Sequence, residues 1–125
     1  MTEIFFVVLL KRLMLAKKHR INKKIFEEIF RKGKIFSTEY LYVKTLPVSE
    51  KHSIFALVVP SKLIKRAVER NKTKRRARHI VKKILPRVKN GLGIIIFFKK
   101  KIGGMTFADI EKEIMAVFKK AKILE

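Results

Sequence analysis

No cysteine and no tryptophan occur in these 125 residues, and a single aspartate, Asp109, stands among 10 acidic side chains. Without cysteine there is no disulfide framework, no thiolate metal site and no cysteine nucleophile, which agrees with a cytoplasmic protein. The few carboxylates are wrongly spaced for a protein-borne nuclease, which needs clustered acids to hold metal ions ~4 Å apart. Glu27 and Glu28 fall about 100° apart on a helix, and Glu111 and Glu113 about 200°. His19, His52 and His79 lie in unrelated segments without metal-ligand spacing. There is no Gly-rich phosphate loop and no Gly-x-Ser-x-Gly elbow, and Ser61 next to Lys62 is a weak candidate for a nucleophile pair. The polypeptide alone is therefore expected to catalyse nothing. Long apolar runs are missing too: Ile4–Leu10 spans seven residues and stops at Lys11-Arg12, far short of the ~20 that cross a bilayer. Only Glu3 is charged before that run, so it lacks the positive leading region of a signal peptide. Residues 1–13 read as an N-terminal extension, or as residues upstream of a start at Met14. An extra packed segment or a membrane contact are the other readings. With no repeats and no low-complexity linker, residues 14–125 read as a single domain.

What the chain does contain is positive charge on an apolar frame. Hydrophobic residues make up 48% of the composition, including 10 phenylalanines, so a folded core is expected. The net charge is +22, enough to attract nucleic acid strongly and without specificity. Between Lys62 and Lys89, 13 Lys and Arg face one acid, Glu69, a balance of +12 over 28 residues. A block of like charge stays disordered unless something neutralises it, yet this one is threaded with apolar residues at helical spacing. That pattern predicts a helix with one face in a core and the other offered to a polyanion.

Ile21–Gly33 reads as a short helix, with Asn22 as its cap, Ile21 stapled onto Phe26 and Gly33 in a left-handed position past its end. Ile25 and Ile29 form one apolar row with Phe26 and Phe30 beside it. Residues 36–46 read as one strand with Tyr40, Tyr42, Lys44 and Leu46 on one side, and Ile54–Val59 as a second, central strand. Asn90-Gly91 turns into Leu92–Phe98, a strand buried on both faces. Thr106 and Asp109 make a capping box and Met105 can staple onto Ile110. Phe107, Ile110, Ile114, Val117, Phe118 and Ala121 then line an amphipathic last helix. The order is α-β-β-α-β-α, an α/β (α+β) single-domain two-layer sandwich.

The basic helix resolves into ridges. Thr73, Ala77, Ile80 and Ile84, spaced 4, 3, 4, make the buried one, widened by Val81 and Leu85. Asn71, Arg75, Arg78 and Lys82 repeat that spacing about 120° to 140° away, a line of donors rising ~5.4 Å per turn. Lys65, Lys72, Arg76 and Lys83 form a third row. Arg70 and Lys74 fall at the seam with the sheet, where they are expected to snorkel outward. Arginine grips a phosphate with two parallel hydrogen bonds, lysine acts as a point charge, and asparagine adds a donor and an acceptor.

The stretch from Val58 to Arg78 resembles the signature of the bacterial ribonuclease P protein subunit. Its Arg-Asn-x-x-Lys-Arg-x-x-Arg core is met by Arg70, Asn71, Lys74, Arg75 and Arg78. Phe26-x-x-x-Phe30-x-x-Gly33 resembles the same family's first helix, preceded by the basic start Lys17-Lys18-His19-Arg20. The likeness runs from about Met14 to Leu124, departing where Leu63 replaces a second Lys and Lys65 a common Gly. The resemblance implies an α/β sandwich with a left-handed β-α-β crossover through the basic helix. It implies a protein cofactor to a catalytic RNA that removes the 5′ leader from precursor tRNA, with Mg2+ held mainly on the RNA and no further protein partner or membrane required. The basic residues, Lys62, Arg66, Arg70, Lys74, Arg75 and Arg78 with Asn71, would face the RNA, and Lys82 extends their row. A cleft between the first helix and the sheet would hold the leader, placing Phe26 and Phe30 at or beneath it, although plain core packing is an equal reading of both rings. The alternatives are a structural RNA-binding protein of ribosomal type and, more remotely, a DNA binder, for which no helix-turn-helix is recognisable.

Overall fold

Each central strand of the sheet feeds two separate cores, because successive side chains point to opposite faces. The computed structural model describes residues 23–49, 53–60, 63–64, 66–99 and 106–124. Its elements are α1 (Lys23–Lys32), β1 (Lys34–Ser37), β2 (Leu41–Pro47), β3 (Ile54–Val58), α2 (Ala67–Ile84), a 3-10 turn (Leu85–Arg87), β4 (Leu92–Phe98) and α3 (Phe107–Lys120). The sheet runs β1-β2-β4-β3. β1 pairs antiparallel with β2, β2 antiparallel with β4, and β3 parallel with β4. The basic helix α2 is thus the crossover between neighbouring parallel strands.

On one face, Val43, Leu57, Ile94 and Ile96 pack against Ala77, Ile80, Val81 and Ile84 of α2 and against Ile110, Ile114, Val117 and Phe118 of α3. On the other face, Phe26 and Ile29 of α1 cover Ile54, Ala56, Val58, Ile95 and Phe97. Each large side chain buried this way contributes about 1.5–3 kcal/mol. The Thr106–Asp109 capping box forms as the spacing predicts, with Asp109 N–H donating to Thr106 Oγ1 and Thr106 N–H to Asp109 Oδ2, both at 3.2 Å. The Asn90-Gly91 turn forms too, with Gly91 at a φ of 77°. The Ser53 hydroxyl, buried beside it, donates to the Lys89 carbonyl and accepts from Leu92 N–H, pinning the turn to the start of β3.

Four local expectations change. The single strand over residues 36–46 is a hairpin, β1 and β2, whose turn closes through Thr38 N–H on the Leu41 carbonyl at 2.8 Å. That turn contains no glycine, proline or asparagine, so its chemistry gave no local sign. The strand at 54–58 is an edge strand, not a central one. It is wholly buried because helices lie over both sheet faces, and burial of side chains says nothing of lateral position. Gly33 does not use a left-handed backbone: a Cβ there would lie 2.5 Å from the Ile29 carbonyl oxygen, which receives the Gly33 N–H. Phe107 remains exposed rather than joining the stripe of α3. Asn22, Ile21, Lys65, Met105 and residues 1–13 lie outside the described residues.

Candidate nucleic-acid interface

The 4, 3, 4 ridge of α2 packs as its spacing predicts: Thr73, Ala77, Ile80 and Ile84 are buried, with Val81. That orientation turns Asn71, Arg75 and Lys82 to solvent and leaves Arg78 half-buried, so the predicted donor row is one continuous outer line. Arg66 is exposed just before the helix, where it caps the chain without a side-chain bond. Lys62 falls outside the described residues.

The seam residues behave differently from the expected outward snorkel. Arg70 turns inward, and its Nη1 donates to the Ile64 carbonyl at 2.9 Å, tying the turn before α2 to the helix. Lys74 is only 7% exposed. Burial pushes its ammonium below the ordinary lysine value, and Arg70 and Arg78, one turn away on either side, push it lower. Burial, with Arg75, also lowers the Arg78 guanidinium from its usual value. A sunken cation between two arginines is costly in the free protein, and a phosphate laid across it would offset that cost.

A second surface lies on the opposite face, where α1 meets β2 and β4. Phe26 is 2% exposed and belongs to the core, whereas Phe30 is 46% exposed. Of the two rings, Phe26 thus lies inside and Phe30 at the surface. Phe30 stacks near Phe26 at 6.2 Å and meets Phe97 at 6.0 Å, tilted by 57°. Phe97 in turn lies flat against its cross-strand partner Tyr42, 4.5 Å apart with 4° between planes. Lys44 joins this cluster: its Nζ donates to the Phe30 carbonyl at 2.8 Å and sits 3.8 Å over the Phe30 ring. Tyr42, Lys44 and Phe97 were not among the predicted cleft residues. The alternation placing Tyr42 and Lys44 on one side of a strand was the signal available for two of them.

Among the described residues no three His, Cys, Asp or Glu side chains gather as a metal site would require. No described helix is long and apolar enough to cross a membrane.

A cationic helix on one side of a four-stranded sheet and an aromatic cluster on the other define a small basic α/β protein. The chain belongs to the ribonuclease P protein family, whose Ribonuclease P family model matches residues 15–122. It is 31% identical over 108 residues to the Ribonuclease P protein component of Bacillus cereus, a match that covers 86% of this chain and 94% of that protein. Among solved structures, a Staphylococcus aureus RNase P protein mutant with defective mRNA degradation activity superposes with a TM-score of 0.79 at 29% identity, covering 96% of this chain and 98% of that one. The RNase P protein from Thermotoga maritima shares the fold, with a TM-score of 0.73 at 24% identity over 85% of this chain and 98% of that one. As a ribonuclease P protein component, the chain serves tRNA processing within a ribonucleoprotein.

Proposed function

We propose that this chain binds the catalytic RNA of ribonuclease P through α2 and the 5′ leader of precursor tRNA through the groove under α1, leaving phosphodiester hydrolysis to the RNA. The observation that carries this reading is the pairing of an outward Asn71-Arg75-Lys82 row on one sheet face with the half-exposed Phe30 ring on the other. Arg66, Arg70, Lys74 and Arg78, with Lys62 before the helix, supply further charge for the RNA subunit. Mg2+ belongs to the RNA, and the protein lowers the concentration required by screening phosphate repulsion between two polyanions. No other protein is required, the polypeptide alone is inactive, and the complex works in the cytoplasm.

Reconstitution with the cognate catalytic RNA tests this directly. At low Mg2+ the protein should restore precursor cleavage that the RNA alone performs poorly. Cleavage by the purified polypeptide, or no effect of adding it, would overturn the reading. Phe30→Ala should weaken holoenzyme binding to precursor more than to mature tRNA, and equal weakening of both would return the ring to a packing role.

A further inference from the structure

We infer that the catalytic RNA makes a further phosphate contact at the far edge of the sheet, where Lys99 and Lys120 close on Ser37. The inference rests on the reading of α2 as the grip on that RNA, and it extends the grip across α3.

β1 is an edge of the sheet, and Ser37 is its last residue. Two ammonium groups from different elements converge on it. Lys99 follows β4, and its Nζ donates to the Ser37 hydroxyl at 2.8 Å. Lys120 ends α3, and its Nζ donates to the Ser37 carbonyl at 2.7 Å. Both lysines are exposed. The Glu113 carboxylate on the same helix is turned to the neighbouring Thr38 hydroxyl, at 3.3 Å. Each ammonium has three donors and gives one of them to Ser37, which neutralises neither. Like charges gathered on an uncharged residue repel, and an anion between them would offset that repulsion. Lys120 also suits the C-terminal end of a helix, and a lysine on a strand edge discourages edge pairing. Neither effect accounts for a second ammonium on the Ser37 hydroxyl.

The placement of the helices says which RNA reaches this corner. α2 and α3 lie side by side on one face of the sheet, and Lys83 Nζ of α2 meets Glu111 Oε2 of α3 at 3.1 Å. Packed helix axes stand about 8–10 Å apart, so an RNA laid on the outer row of α2 meets α3 next. From Ile114 to Leu124 the chain carries Lys119, Lys120 and Lys122, all exposed, and no acid. The cationic surface of α2 thus continues over the C-terminal half of α3 and ends where Lys120 and Lys99 meet. Lysine binds phosphate as a point charge, so the corner holds backbone without reading bases. None of the bonds at this corner comes from α1, the helix beside which the leader is proposed to lie.

Binding of the full chain to the catalytic RNA alone, titrated with salt, tests this. Lys99→Gln and Lys120→Gln should each shallow the salt slope by roughly one ion, and the double variant by about two. Lys99→Arg and Lys120→Arg should keep the wild-type slope, since the charge stays. Lys24→Gln, an equal loss of charge at an exposed position of α1, should leave the slope nearly unchanged. Urea unfolding of each variant separates lost contact from lost folding. If the folded double variant keeps the wild-type slope, the two lysines only clip β1 to its neighbours and the inference fails. It also fails if Lys24→Gln shallows the slope as much, because the effect is then one of net charge. Weakening confined to precursor tRNA, with binding to the catalytic RNA unaffected, would move the corner to the leader surface and overturn it too. Arg75→Ala in the same titration tests α2 separately. A shallower slope there beside an unchanged double variant overturns this inference alone, and an unchanged slope in both overturns the α2 reading with it.

Discussion

Arg70 adds charge to α2, the helix proposed to bind RNA, while spending one nitrogen on the Ile64 carbonyl, so its geometry and its charge can be separated by mutation. Lysine keeps the charge and loses the planar fork. Arg70→Lys should therefore weaken RNA-subunit binding about five- to tenfold with an unchanged salt slope, because the turn before α2 loosens while the charge remains. Arg75→Lys, at an exposed position of the outer row, should change affinity much less. A salt titration of both variants checks the contrast. Lys74 adds a pH dependence whose sign follows from its surroundings. Burial, Arg70 and Arg78 lower its value in the free protein, and a bound phosphate would raise it again. The complex then holds more protons than its separated parts, so affinity should fall as pH rises through the depressed value toward the ordinary lysine value. Lys74→Gln should flatten that fall, as binding at constant ionic strength would reveal. A parallel fall in wild type and variant would remove Lys74 from the contact.

Helix α1 owes its place to a missing side chain on the strand beneath it. A Cβ at Gly93 would stand 2.3 Å from Ile29 Cδ1 and 3.1 Å from Val48 Cγ1, so the buried Ile29 side chain would have to shift to admit it. Gly93→Ala should lift α1, costing about 1–3 kcal/mol of stability by overpacking. It should also weaken leader-dependent binding more than binding to the catalytic RNA, and urea unfolding together with the two binding assays would separate these effects. How far such elements were legible in the chain varies with the range of the interaction. The buried ridge of α2 and the capping box of α3 follow from spacing over a few residues, and both form. The β1–β2 turn was hidden because Thr38-Glu39-Tyr40 lacks turn residues and is closed by Leu41 and Glu113, the latter 75 positions away. Lys44 as a groove residue was hidden for the same reason. On a strand it reads as an ordinary solvated lysine until α1 brings the Phe30 carbonyl and ring to it.

Across the whole molecule, +22 charges on 125 residues make the free fold work against its own repulsion. Added salt should therefore stabilise the free protein while weakening its complex with RNA. Replacing Arg75 or Arg78 by alanine should reduce the salt slope of RNA binding by roughly one ion each, and an unchanged slope would argue against a phosphate contact. The two surfaces proposed for nucleic acid are not mechanically independent, because strand β4 lies under both. Ile94 and Ile96 support the side on which α2 sits, while Ile95 and Phe97 support the side on which α1 sits. Any displacement of that backbone is transmitted to the basic helix on one side and the Phe30 cluster on the other at once. Adaptation of one without disturbing the other must then come from outward positions such as Lys44 or Lys82, leaving the strand between them the slowest part of the protein to change.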